Sequence, residues 1–103
     1  MKVIVPGLSY ELPNFENKDE AGQKLQFIHK QPKEEGSTEL ITVDGTTNED
    51  VLDVLIDRLN VQNAKFPCKE NSIAITKLEE AKMWLHKRTA DRVARNVEGK
   101  HKN

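Results

Sequence analysis

The chain has 103 residues, 36% hydrophobic and 32% charged, with Gly 5 and Pro 4; this is the balance of one globular domain and excludes collagen-like or low-complexity chains. A single Cys excludes an intramolecular disulfide and a thiolate zinc cluster and fits a reducing compartment. No apolar run approaches the ~18 residues of a membrane span and residues 1–20 hold no signal-peptide core, so the expected address is the cytoplasm; the net charge of −1 predicts no strong pull toward nucleic acid or membrane.

The first third reads as strands and turns. Lys2-Val3-Ile4-Val5 is a short strand stopped by Pro6-Gly7, and Leu8 to Leu12 is a second that ends before Pro13. Asn14 to Gly22 is polar and reads as a loop. Lys24 to His29 reads as a strand whose alternation breaks at Phe27-Ile28. Pro32 to Gly36 forms a turn before Thr38 to Val43, and Asp44-Gly45 closes that strand. Strands this short need a helix or a second subunit against them, and the pattern predicts a small antiparallel sheet.

The middle of the chain predicts a one-sided helix over about 48–60. Thr47 is a good N-cap, and Glu49 and Asp50 suit the first turn. Val51, Leu52, Leu55, Ile56 and Leu59 fall within roughly 140° of arc, opposite Asp53 and Asp57. Asn60 to Lys69 reads as a link containing Phe66-Pro67-Cys68. A last helix is predicted from an N-cap at Asn71 to about Glu98, with Gly99 as its stop. At ~40 Å it is longer than so small a domain needs, and overshooting helices commonly pack on another copy. The predicted fold is therefore α+β: a small N-terminal antiparallel sheet (1–45), a helical hairpin (46–99) with one long helix, and a basic tail (100–103).

Charge is unevenly spread. Residues 1–60 hold 6 Lys/Arg against 12 Asp/Glu, whereas residues 61–103 hold 10 against 5. On the last helix, Ala74, Leu78, Ala81 and Leu85 follow the i, i+4, i+7, i+11 spacing of a buried seam, and the same seam continues as Arg88, Arg92, Arg95 and Gly99. Guanidiniums in a narrow arc repel one another unless an anion lies between them, and their donor fork suits carboxylate or phosphate. Trp84 lies one turn before Arg88, within stacking range of it or of a planar ligand. Two readings stay open from the residues alone. The arginines hold an anion or nucleotide, or they pair with acids of a neighbouring subunit while Trp84 is a core anchor.

Other features read more plainly. Arg58, at the edge of the first helix's apolar face, is read as an intramolecular ion-pair partner, Phe66 as core or a lid over an interface, and Cys68 as a small buried hydrophobe. His29, His86 and His101 are too scattered for metal ligation, and the adjacent Glu79-Glu80 share no helical face for acid–base work. No catalytic residue, metal site or cofactor is expected. The chain reads as a binder.

The runs TTNEDVLDVLIDRLN (46–60) and FPCKENSIAITKLEEAKMWLHKRTADRVARNVEG (66–99), with YELPNF (10–15) and FIHK (27–30) before them, resemble the first described Thoeris anti-defence family of bacteriophages. The family shares its helical hairpin with phage sponges for the cyclic nucleotides of CBASS defence. The resemblance implies a non-enzymatic protein, a single signal-nucleotide-binding domain over 1–103, in the cytoplasm of an infected bacterium. It would sequester a glycosidically linked cyclic ADP-ribose isomer made by the Thoeris TIR-domain sensor. It also implies a homo-oligomer, a dimer or a hexamer built as a trimer of dimers, with ligand between helices of adjoining subunits and no DNA, RNA or membrane partner. Asn71, Arg88 and Arg92 are the implied ligand residues, with Trp84, Phe66 and Arg58 as wall or support. Arg95, Gly99 and His101 would belong to a second, cyclic-nucleotide pocket, where this chain departs from the family in having Lys100 in place of Thr. Two alternatives remain beside it: a sponge for CBASS cyclic di- or trinucleotides, and a structural or protein-binding phage accessory protein.

Overall fold

A computed structural model describes the backbone of residues 1–102 and the side chains of residues 1–95. Five short strands precede two helices: β1 (Lys2–Val5), β2 (Ser9–Leu12), β3 (Gln23–Gln26), β4 (His29–Pro32), β5 (Leu40–Val43), α1 (Asn48–Lys65) and α2 (Lys69–Lys102). The chain divides into two compact units, 1–48 and 49–103. The α+β class, with strands first and a hairpin after them, is as the sequence predicts.

In the first unit the predicted single sheet is two sheets. Strands β1, β2 and β3 form an antiparallel meander, and β4 pairs with β5 in a separate two-stranded ribbon. The expected Lys24–His29 strand is divided where its alternation fails. Phe27 donates its backbone N–H to Leu8 O (2.8 Å), leaving β3 on the meander, while Ile28 donates to Thr46 O (2.9 Å). The main chain thus changes partners between two adjacent residues, and no single strand can span the change. The Phe27 ring meets Tyr10 edge-on, with centroids 6.0 Å apart. Tyr10 is itself tied down, its hydroxyl accepting the Gly7 N–H at 2.8 Å, and Gly7 adopts a positive φ of 77° in the β1–β2 turn.

The second unit is the helical hairpin, and both of its helices are longer than predicted. Helix α1 continues past Asn60, whose side chain donates back to Ile56 O (3.0 Å), and ends at Lys65. The turn is then only Phe66-Pro67-Cys68. Asn63 fastens it: its Oδ1 accepts the Cys68 N–H (3.0 Å) and its Nδ2 donates to Ser72 Oγ (3.2 Å). Asn71 is not the N-cap of α2. It is the third residue of that helix, and its N–H donates to Cys68 Sγ (3.4 Å), so Cys68 stands in the capping place. Cys68 is accordingly exposed, not buried as its side-chain type suggests. Nor does Gly99 stop α2, which runs through it to Lys102; the predicted basic tail is helix over 100–102, and Asn103 lies outside the described residues. A glycine ends a helix only when the chain turns left-handed there.

The Asn63–Ser72 bond and an ion pair between Asp53 and Lys82 show the helices antiparallel. Leu52, Ile56 and Leu59 of α1 and Ala74, Leu78 and Leu85 of α2 are half-buried, and Ile75, at 8% exposure, is the most enclosed apolar residue among those described. Ala81, expected in the seam, is exposed. The buried arc of α2 is instead centred between Ile75, Leu78, Lys82 and Leu85, because Ile75 and not Ala81 offers apolar surface worth covering.

Candidate functional site

The helices differ greatly in length. Eighteen residues of α1 span ~27 Å and 34 residues of α2 span ~51 Å at 1.5 Å per residue. The register set by Asn63–Ser72 and Asp53–Lys82 places the start of α1 opposite about residue 87 of α2. Arg88, Arg92 and Arg95 therefore follow the point where α1 gives out. The sequence seam turns from apolar to arginine at the same place as the hairpin loses its second helix.

From Trp84, one turn before this overhang, Arg88, Asp91 and Arg95 follow at i+4, i+7 and i+11, and so share one face with it. With Lys87 they line a shallow groove of about 250 Å³. Trp84 is 63% exposed, so it is not the core anchor of the alternative reading within this chain, and its indole is open to a planar ligand. All three arginines are exposed, and among the described residues none makes an ion pair. Asp91, three residues from Arg88 and four from Arg95, pairs with Lys87 instead (2.9 Å). Arg92 lies beside the groove rather than in its lining. Exposed guanidiniums beside an open indole form a surface suited to a phosphorylated aromatic ligand.

The other predicted site residues stand elsewhere. Asn71, half-buried, sits 17 residues before Arg88 on the same helix, a rise of ~25 Å. Phe66 is in the turn and 80% exposed, so it is no core residue of the isolated chain. Arg58 makes none of the expected intramolecular ion pairs among the described residues; it faces outward in a groove of about 770 Å³ on α1, with Asp53, Val54, Asp57, Val61, Gln62 and Lys65. Gly99 and His101, assigned to the second pocket, lie outside the residues whose side chains are described. Within one chain the structure brings together Trp84, Arg88 and Arg95, and leaves Asn71, Phe66 and Arg58 apart from them.

Two groove residues, Lys87 and Asp91, escaped the sequence reading, although Asp91 lies on the arginine face at the i, i+3 and i, i+4 spacings that bring helical side chains together. Elsewhere, the exposed His86 lines a groove with Asp53 and Ile56 of α1 and Glu79, Lys82 and Met83 of α2. Among the described residues no cluster of His, Cys, Asp and Glu is arranged to hold a metal ion, and no helix is long and apolar enough to cross a membrane.

Comparison with known proteins agrees with this anatomy. Residues 21–90 match the family described as "Acb2/Tad1, hairpin domain". That stretch holds Arg58, Phe66, Asn71, Trp84 and Arg88 and stops short of Arg92 and Arg95. A curated relative, "Thoeris anti-defense 1" of Bacillus phage SBSphiJ7, is 59% identical over 58 residues; the match covers 55% of this chain and 41% of the relative's own length. The chain belongs to the Acb2/Tad1 hairpin family.

Proposed function

We propose that this member of the Acb2/Tad1 hairpin family is a phage anti-defence protein that binds and sequesters a glycosidically linked cyclic ADP-ribose isomer, the signal of the Thoeris TIR-domain sensor, without degrading it. The observation that carries this reading is the groove leading onto the overhang of α2, where exposed arginines with no ion pair among the described residues lie beside an open indole. Kinship with a protein called Thoeris anti-defense 1 supports the biological setting. Such a ligand offers a dianionic pyrophosphate, adenine and ribose hydroxyls. Arg88 and Arg92 would hold the pyrophosphate, Trp84 would give its face to the adenine, and Asn71 would bond a polar edge. Each charge-assisted hydrogen bond of this kind contributes ~1.5–3 kcal/mol. A sponge needs affinity and no turnover, so no catalytic group has a part in the scheme.

Asn71 and Arg88 lie ~25 Å apart along one helix, so a complete pocket requires a second copy. An antiparallel neighbour would set its own Asn71 against Arg88 and Arg92 of the first, and two-fold symmetry would form each site twice. The chain's apolar surface favours such company: Ile73, Met83 and Trp84 on α2 and Val54 and Val61 on α1 are all exposed. Phe66 and Arg58 stand as wall or support residues in this dimer, and a hexamer would be three of them.

A sponge for CBASS cyclic di- or trinucleotides is the second reading. It is favoured by Arg95, an exposed cation farther along the overhang with no ion pair among the described residues, which with Gly99 and His101 would form the second pocket. Calorimetry of the purified protein with the linked cyclic ADP-ribose isomer and with a panel of cyclic oligonucleotides ranks the two. Released ligand is expected to be unchanged by mass spectrometry. Absence of heat at micromolar protein, with no ligand retained on filtration, overturns the cyclic ADP-ribose reading.

A further inference from the structure

The groove on the overhang contains a carboxylate for which ligand capture alone has no use. Asp91 lies between Arg88 and Arg95 on one face, within reach of both by helical spacing, yet its partner is Lys87. A Lys four residues before an acid is the less favourable order on a helix, and both side chains are more than half exposed, so this pair adds little to stability. Its electrostatic effect on the groove is larger. Lys87, Arg88 and Arg95 are three cations and Asp91 is the one carboxylate of the lining, with Arg92 a further cation beside it, so Asp91 lowers the positive charge that a phosphate group meets there.

We propose that Asp91 makes the groove selective by charge, disfavouring nucleotides with three or four negative charges relative to a dianion. The proposal rests on the reading that the overhang holds a nucleotide. A seam of arginines alone attracts any phosphate ester, and the attraction grows with ligand charge, so nucleoside triphosphates would occupy it first. Stacking on Trp84 does not prevent this, because all adenine nucleotides share the same ring face. Discrimination then needs a repulsive element, and a single carboxylate among the cations supplies one. Asp91 lies where it opposes each additional phosphate but leaves the guanidinium forks unoccupied, since its own partner is Lys87. Lys87 thus acts as the counterweight, pairing with Asp91 and keeping it off the arginines.

The test is calorimetric titration with the linked cyclic ADP-ribose isomer, together with its competition by ATP, on the wild type, Asp91→Asn and Lys87→Gln. Circular dichroism and size-exclusion chromatography should show all three folded alike, because both positions are exposed. Asp91→Asn is expected to raise the affinity for ATP relative to the cyclic dianion by roughly two- to fivefold at low salt. Lys87→Gln should move the same ratio the other way. If the wild type binds the cyclic ligand but the ratio is unchanged in Asp91→Asn, or ATP competes with neither form, charge selection is wrong and the sponge reading stands. If Asp91→Asn loses affinity for the cyclic ligand, Asp91 is a direct ligand contact and the proposal fails. A wild type that binds neither nucleotide overturns the proposal and the sponge reading together.

Discussion

The long helix is two helices in one. From Lys69 to about residue 87 it runs beside α1, and its inward positions, Ala74, Ile75, Leu78 and Leu85, are apolar and at least half covered. From Arg88 the same faces carry arginine, the side chains through Arg95 are all exposed, and the short partner helix has ended. The first stretch is held by side-chain burial. The second inherits its helical backbone from the first, since propagation of a helix is far easier than nucleation. A packed segment can therefore extend a charged one into solvent without a core of its own. Free of packing duty, the extension has its side chains available for a ligand.

The comparison is most directly broken from the extended side. Arg88→Ala with Arg92→Ala should remove two charge-assisted contacts, about 1.5–3 kcal/mol each, which lowers ligand affinity at least a hundredfold in calorimetry. The oligomer should remain intact by light scattering; its dissociation instead would show the arginines to be ion-pair partners between subunits. On the packed side, Ile75→Ala should cost ~2–4 kcal/mol of stability by chemical denaturation, because it opens a cavity at the most enclosed point of the hairpin. Trp84→Ala at 63% exposure should weaken ligand binding much more than it lowers the unfolding midpoint of the unliganded chain; comparable losses in both would return Trp84 to a packing role.

Smaller effects test the joint between the stretches. Asn63→Ala removes two hydrogen bonds at the turn and should cost about 1–2 kcal/mol in denaturant, since it frees the N-terminus of α2. Asp53→Asn should cost only about 0.2–1 kcal/mol, as Asp53 and Lys82 are partly exposed, and the difference should shrink in high salt. A salt-independent loss there would mean that the pair does more than join α1 to α2.

Much of this was legible in the chain. The periodicity of Val51 to Leu59 marked α1, and the change from Leu85 to Arg88, Arg92 and Arg95 marked the overhang, because side-chain spacing on a helix follows from 3.6 residues per turn alone. The errors fell where local signals compete with bonds from distant residues. The link was placed from Asn60, and Asn71 was read as a cap, a place asparagine favours. Yet it is Asn63 that fastens the turn, through Cys68 and Ser72, and no periodicity announces such a contact. Arg58 was given an intramolecular ion pair that it does not make among the described residues, although Asp53 and Asp57 line the same groove. Phe27-Ile28 was correctly seen as irregular, but its cause lay in Leu8 and Thr46, remote in sequence.

What the amino-acid order determined by itself was therefore the class of each segment and the chemistry of each helical face, aliphatic giving way to cationic along α2. Only the tertiary structure decided where α1 ends beside α2, and hence that Arg88 and Arg95 extend past it, one turn and more beyond Trp84, while Lys87 holds Asp91 aside. Propensity and spacing act within a few turns. The register between two helices depends on a three-residue turn and the pairs Asn63–Ser72 and Asp53–Lys82, and it was those contacts that turned a stripe of arginines into an open groove.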